Sequence, residues 1–224
     1  MNSMYEQLMQ LPLFQGVSTE KITALVEKLP FHFLKFHNGD QIFAAGDQCT
    51  HIRFIVSGQV RIETQWSRLR VSMNQTLSTP HVLAAECLFG RKTVYPYTAV
   101  AQGSCGILQL LKSDYIKMVS SDKVFLFNIL NYLSSGSQRN TASLLATKDG
   151  SVAERLAVLM DLLVVNGASD ITLRYKQKDL SALLGTQRTT LIASLDKLTD
   201  LGLIDYDSNE LRVLDIQGLI NLIR

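Results

Sequence analysis

The segment from Tyr175 to Ile204 constrains the fold more than any other, because its apolar spacing fits two helices joined by a tight turn. Leu180, Leu183 and Leu184 give a first helix one apolar face. Gly185 supplies backbone freedom at the turn, and Thr186 reads as the N-cap of the next helix. Leu191, Leu195 and Leu198 recur at i, i+4 and i+7, so a second helix buries that stripe. Its opening residues, Gln187, Arg188 and Thr189, are long or polar and fall off the stripe. This is the sequence form of a helix-turn-helix whose second helix offers polar side chains to a DNA groove. An αα-hairpin inside an ordinary helical core has the same apolar spacing, so the flanking segments decide between the two.

Before the motif, Val152 to Val165 reads as a strongly apolar helix ended by Asn166-Gly167, followed by a short strand over Ile171–Arg174. After it, Leu203–Tyr206 and Leu211–Leu214 flank Asp207-Ser-Asn-Glu, which predicts a β-hairpin. Helix, strand, two-helix motif and hairpin is the order of a winged helix-turn-helix, and a generic αα-hairpin has no reason for that sequel. Charge tempers the reading. Between residues 150 and 224, eight Lys and Arg stand against ten Asp and Glu, which argues against a strong non-specific grip on phosphates. Locally the balance reverses: Arg174, Lys176, Lys178, Arg188 and Lys197 surround the motif against Asp179 and Asp196.

Upstream, residues 3 to 28 read as helical around Pro12, with Ser18 or Thr19 capping a second piece that presents Ile22, Leu25, Val26 and Leu29. From Phe31 to Leu111 the texture changes to short alternating runs, including Gln41–Ala44, His51–Val56, Gln59–Thr64 and Gly106–Leu111. Asn38-Gly39, Gly46-Asp47 and Ser57-Gly58 punctuate them as turns, the pattern of an antiparallel roll, barrel or sandwich. Residues 113 to 147 predict one long helix opened by Ser113 or Ser121. One row, Leu126, Ile129 and Leu133, is expected to face the roll. A second, Phe127, Leu130, Ser134, Ser137, Thr141 and Leu144, has coiled-coil spacing and predicts a homodimer seam. Gly136 weakens that helix by about 1 kcal/mol. Thr147–Ser151 reads as the interdomain hinge.

No run of about 18 apolar residues predicts a membrane span, and Met1–Leu8 lacks the features of a secretory signal. Three widely spaced cysteines, Cys49, Cys87 and Cys105, suit buried thiols in a reducing cytoplasm. Catalytic signatures such as Gly-x-Ser-x-Gly, a Gly-rich phosphate loop or His-Glu-x-x-His do not occur, so no enzyme is expected. Cys49-x-His51 is the one close pair among the histidines and cysteines, short of a zinc signature, so neither metal nor cofactor is expected.

Asn38-Gly-Asp-Gln-Ile-Phe-Ala-Ala-Gly-Asp, followed by Ile52-Arg-Phe-Ile-Val-Ser-Gly-Gln-Val, resembles the β-roll signature of cyclic-nucleotide-binding domains. Leu88-Phe89 followed by Thr98-Ala-Val-Ala is similar to the segment carrying their phosphate-binding cassette. With the winged motif behind it, nearly the whole chain resembles the Crp/Fnr family of transcription regulators. That resemblance implies an α+β chain: an N-terminal cyclic-nucleotide-binding-like antiparallel β-roll with its N-terminal helices (1–112), a long dimerisation helix (113–147) and a C-terminal winged helix-turn-helix (148–224). The cassette departs from the family pattern. Ala85 stands at the glutamate position, with Glu86 displaced by one, and Tyr95 and Pro96 stand where the family has an arginine and a hydroxyl. Tyrosine cannot replace the charge-assisted arginine–phosphate bond, so tight binding of cAMP is not expected. Residues 1 to 48 also lack the cysteines of the iron–sulfur relatives.

The resemblance thus implies a cytoplasmic, homodimeric regulator on pseudo-palindromic double-stranded DNA, with RNA polymerase as a further partner and no membrane. Its half-sites should be centred about 34 Å apart. Arg188 stands at a base-contacting arginine of the family, while Thr189 and Ala193 replace a usual glutamate and a second arginine. Gln187 and Thr190 are expected at phosphates, with Arg174, Lys176 and Lys178 flanking. Two readings of the roll stay open. Either it senses a non-nucleotide small molecule through Ala85, Glu86, Tyr95, Tyr97, Thr98, Asn140 and Thr141, or it is a packed scaffold and the regulator needs no effector.

Overall fold

The computed structural model describes residues 4–146 and 150–223, leaving out the side chains of residues 4, 5 and 139–146. The chain divides into two compact units, Met1–Ile62 with Leu77–Gly136 and Glu63–Thr76 with Ser137–Arg224.

In the first unit, helices α1 (Met4–Gln10) and α2 (Thr19–Lys28) precede the strands, and the Ser18 hydroxyl caps α2 by accepting from the Lys21 N–H. The strands are β1 (His32–Phe36), β2 (Gln41–Phe43), β3 (His51–Trp66), β4 (Val71–Ser78), β5 (His81–Leu83) and β6 (Thr98–Leu111). Strand β6 lies between β1 and β3 and also pairs with β2, all pairings with β1 and β2 being antiparallel. The expected turn at Ser57-Gly58 does not form, and β3 runs through it as one strand. Glycine is needed there for another reason. At φ +78°, a Cβ on Gly58 would lie 2.3 Å from the Ser104 carbonyl oxygen of β6, so the two backbones meet where no side chain fits.

The single helix expected over 113–147 is two helices, α3 (Lys112–Ser121) and α4 (Lys123–Ala146). Asp122 breaks them by taking an extended conformation, while its carboxylate accepts from the Val124 N–H at 2.7 Å and pairs with Lys21. Neither Ser113 nor Ser121 caps; Leu111 holds the N-cap position of α3. The row facing the roll is also shifted: Phe125 and Ile129 are buried, and Leu126 is exposed. Phe125 meets Phe14 edge-on at 5.8 Å, and Phe14 meets Phe54 of β3 at 5.5 Å. The Asn128 amide completes the seam by donating to the Gln15 and Leu13 carbonyls. Leu126, Phe127 and Leu130 are left as an exposed apolar row on α4. Thr141 and Leu144 of the expected seam, and Asn140 of the expected pocket, lie outside the side chains described, as do residues 147–149 of the hinge expected over Thr147–Ser151.

The second unit holds α5 (Val152–Leu163), β7 (Ser169–Arg174), α6 (Gln177–Leu183), α7 (Arg188–Asp200), the hairpin β8 (Ile204–Tyr206) and β9 (Glu210–Val213), and α8 (Ile216–Asn221). A full capping box opens α5: Glu154 N–H donates to the Ser151 hydroxyl, and the Glu154 carboxylate accepts from Ser151 N–H. The helix ends at Leu163 with Val164 as its C-cap, two residues before the Asn166-Gly167 expected to close it. Antiparallel pairing runs β8–β9–β7, and residues 63–76, the far end of the β3–β4 hairpin, continue the sheet past β7. Ser72, Met73 and Asn74 pair with Arg174, Leu173 and Thr172, and Thr76 pairs with Ser169 after a bulge. Val71 and Met73 are buried in one core with Leu156, Met160, Leu173, Leu191, Leu195 and Leu211.

Gln75, 1% exposed, closes the gap opened by the bulge. Its amide nitrogen donates to the Leu163 carbonyl at 3.0 Å, and its amide oxygen accepts from the Val165 N–H at 2.8 Å. One side chain thereby serves two backbone groups at the end of α5 that have left the helical ladder. Truncation to alanine strands both. Gln75→Ala is expected to cost about 1–3 kcal/mol in denaturant-induced unfolding, and an unchanged midpoint would show that the amide carries no such role.

Candidate nucleic-acid interface and cassette

The two-helix motif is built on a closed turn. Gly185 adopts φ +60°, its N–H donates to the Ala182 carbonyl at 3.2 Å, and the Thr186 N–H donates to the Ser181 carbonyl at 2.9 Å. This pair of bonds is a Schellman ending, which calls for the left-handed backbone that glycine adopts without strain. Thr186 is therefore part of the turn and not the cap. Gln187 holds the N-cap position of α7 without a side-chain capping bond, and the helix opens one residue later, at Arg188.

Leu191, Leu195 and Leu198 are buried to within 1% of complete. That single buried face fixes the rotation of α7, and Gln187, Arg188, Thr189 and Thr190 emerge exposed at its N-terminal end. Arg188 is held from outside its own helix: its Nε–H donates to the Gln177 Oε1 at 2.6 Å. The bond uses one of the five N–H donors of a guanidinium, leaving the fork beyond it. Gln177, at the opening of α6, is a functional candidate that periodicity could not reveal, because the contact joins two helices eleven residues apart in sequence.

Arg174, Lys176 and Lys178 are also exposed. Arg174 donates from Nε to Glu210 across the β7–β9 pair at 3.1 Å, and Arg212 donates to the same carboxylate at 3.0 Å. Bonds from Arg174 first, and then from Arg212, hold the Glu210 carboxyl below its ordinary pKa. Both guanidiniums thus share one carboxylate, and Asp205 of β8 stands opposite Arg212 on the same face.

Two tyrosines fix the hairpin. Tyr175 is buried; its N–H donates to the Asn209 carbonyl at 2.9 Å and its hydroxyl to the Asp207 carbonyl at 3.2 Å. Burial pushes its own pKa up to about 12. Tyr206 donates to Asp196 Oδ1 on α7 at 2.5 Å, and that bond raises the phenol to about 12. The tyrosine therefore stays protonated, and the bond intact, throughout the neutral range. At the tip, the Asp207 carboxylate accepts from the Asn209 and Glu210 N–H groups at 2.8 and 2.9 Å. Hairpin and α7 thus form one hydrogen-bonded frame.

In the first unit, the cassette positions close inward. Ala85 sits in a 3-10 turn entered through Ala84 at φ 48°, and it is 1% exposed, while Glu86 beside it is exposed. Tyr95 and Tyr97 are buried at 2% and 5%. Tyr95 stacks on Phe43 with ring centroids 3.7 Å apart, and its hydroxyl receives a bond from Arg53 and donates to the His51 carbonyl. Arg53 lies 5.4 Å from the Tyr95 centroid and donates from Nε to Gln109. Burial raises the Tyr95 pKa, which keeps the ring neutral. Thr98 accepts from the Ala45 N–H at 3.1 Å, so its hydroxyl serves the roll backbone. At the two positions where the family pattern has an arginine and a hydroxyl, Tyr95 is stacked on Phe43 and Pro96 carries no hydroxyl.

Among the described residues, no group of three or more His, Cys, Asp or Glu could hold a metal ion, and no helix is long and apolar enough to cross a membrane.

Comparison with known proteins gives two family matches: residues 33–122 to the cyclic nucleotide-binding domain and residues 151–222 to the Crp-like helix-turn-helix domain. The catabolite activator protein of Thermus thermophilus is 18% identical over 96% of this chain and 100% of its own, with a TM-score of 0.50. The c-di-GMP responsive global regulator CLP of Xanthomonas campestris is 17% identical over 85% and 98%, with a TM-score of 0.49. FixK2 of Bradyrhizobium japonicum is 17% identical over 87% and 98%, with a TM-score of 0.45. No curated protein matches the chain in sequence.

The packing at Tyr95 leads to a direct expectation. Titration calorimetry with cAMP at micromolar concentrations should show no saturable heat, and a saturable isotherm would mean that the Phe43–Tyr95 stack opens to admit the nucleotide.

Proposed function

This chain belongs to the Crp/Fnr family of transcription regulators, and from that premise we propose that it acts as a homodimer on a pseudo-palindromic DNA site without needing a cyclic nucleotide. In linear terms, residues 1–112 are the sensor-like roll, 113–147 the dimerisation segment and 148–224 the DNA-binding head. The observation that carries the reading is the exposed set at the opening of α7, Gln187 to Thr190, with Arg188 braced by Gln177. A guanidinium positioned in this way suits bidentate contact with guanine O6 and N7 in the major groove. Gln187, Thr189 and Thr190 flank it as phosphate or base-edge contacts, with Arg174, Lys176 and Lys178 on the backbone. Repression or activation would follow from where the site lies relative to RNA polymerase.

Dimerisation is supported by the apolar row on α4. Leu126, Phe127 and Leu130 are 41%, 59% and 48% exposed, an arrangement that water disfavours and a second copy of the same helix would cover. The sensor reading keeps one specific support. Arg53 places a cation against the Tyr95 hydroxyl, a group suited to an anionic, non-nucleotide effector.

Selection of bound duplexes from a random pool, with purified protein and no added ligand, tests the proposal: enrichment of a palindrome supports it, and no enrichment rejects it. Arg188→Ala should weaken the selected site by about 1–3 kcal/mol and relax one base position in each half-site. Equal binding by the mutant would remove Arg188 from the readout. Phe127→Glu with Leu130→Glu should shift the protein toward monomer in sedimentation velocity, and an unchanged species would place the interface elsewhere.

A further inference from the structure

Resting on the DNA-binding reading, we propose that the tip of the β3–β4 hairpin, Trp66 to Arg70, is an additional DNA-backbone contact, extending the interface beyond the helix-turn-helix and its hairpin. The tip belongs to the same compact unit as the motif. Residues 67–70 form its turn, and Arg68 and Arg70 are exposed there. Pairing of Ser72 with Arg174 sets the tip beside the end of β7. An open cavity of about 310 Å³ lies at this junction, lined by Trp66, Arg70, Arg174, Tyr175 and Lys176 among others, with no carboxylate in its lining.

The surface is continuous with the proposed recognition elements. Lys176, on the cavity wall, precedes Gln177, which braces Arg188. Arg70 reaches Asp179 of α6 at 3.5 Å, which ties the tip to the first helix of the motif. Arg174 is only half-neutralised, since it shares Glu210 with Arg212. The winged segment alone is formally acidic; residues 63–76 add Arg68 and Arg70 against the single carboxylate Glu63 and place both where the local balance is already positive. Duplex DNA, with one negative charge per about 1.7 Å of axis, matches a row of cations better than a small anion does, because successive phosphates engage Arg174, Lys176 and the tip together.

A phosphate contact carries a signature that a structural role lacks, the release of a counterion. Full-length protein is titrated against a mixed-sequence duplex of about 40 base pairs between about 50 and 200 mM salt, followed by fluorescence anisotropy. Arg68→Ala and Arg70→Ala should each lower the slope of log K against log salt by about 0.9, and the double variant by about 1.8. Arg70→Lys should retain the wild-type slope, and the melting midpoint should stay in place. A wild-type slope in a double variant of unchanged stability overturns the proposal and leaves the recognition helix standing. Absence of any duplex binding by the wild type overturns this inference, while the DNA-binding reading stands or falls on the random-pool selection. Should the double variant melt early, Arg68→Ala alone, on the exposed turn, is read in its place: a slope lowered by about 0.9 supports the contact, and an unchanged slope overturns it.

Discussion

Burial of Leu191, Leu195 and Leu198 is the interaction on which the second unit depends. A helix with one apolar stripe has one orientation that keeps that stripe from water, and the polar residues at its start go wherever the orientation sends them. In this chain they go outward, beside the opening of α6, which allows Gln177 to grip Arg188. The sheet β8–β9–β7 roofs the same core through Leu173, Ile204 and Leu211. Stability and presentation of the Arg188 side chain are thus one packing solution.

The β3–β4 hairpin completes that solution. A three-stranded antiparallel sheet would leave β7 with an unpaired edge, which is a liability for any strand. Residues 72–76 cover the edge, and Val71 and Met73 enter the core beneath it. Segments distant in sequence therefore share one core, and the linear division into roll, helix and head is not a division of the packing.

The chain's own periodicity made much of this legible. The leucine stripe of α7, the glycine turn and the hairpin around Asp207-Ser-Asn-Glu follow from local rules, because each is set by neighbours within a few residues. What escaped depends on distance or on backbone angles. Helical spacing continues across Asp122, so nothing in the apolar pattern marks the break, and the place assigned to Leu126 beside Ile129 is taken by Phe125. Strand β4 carries an alternating pattern at Val71, Met73 and Leu77, but the inward position between them holds Gln75, a polar residue whose partners lie some ninety residues away. The bonds of Tyr206 to Asp196 and of Arg188 to Gln177 likewise join elements that no spacing rule relates. In the cassette, the loss of arginine and hydroxyl was legible; that Tyr95 would stack on Phe43 and seal the position was not.

The frame formed by Tyr175, Tyr206 and the Asp207 turn has a consequence for the DNA. Tyr206 bonds the hairpin to α7 and Tyr175 bonds its turn to the end of β7, so hairpin and helix are held in one frame. On the proposed reading the duplex must supply the adjustment, by bending or by narrowing a groove. That deformation costs least at flexible pyrimidine–purine steps and most in stiff tracts. Base pairs that no side chain touches would then be selected by their mechanical compliance, a layer of specificity written into two tyrosines and not into any base contact.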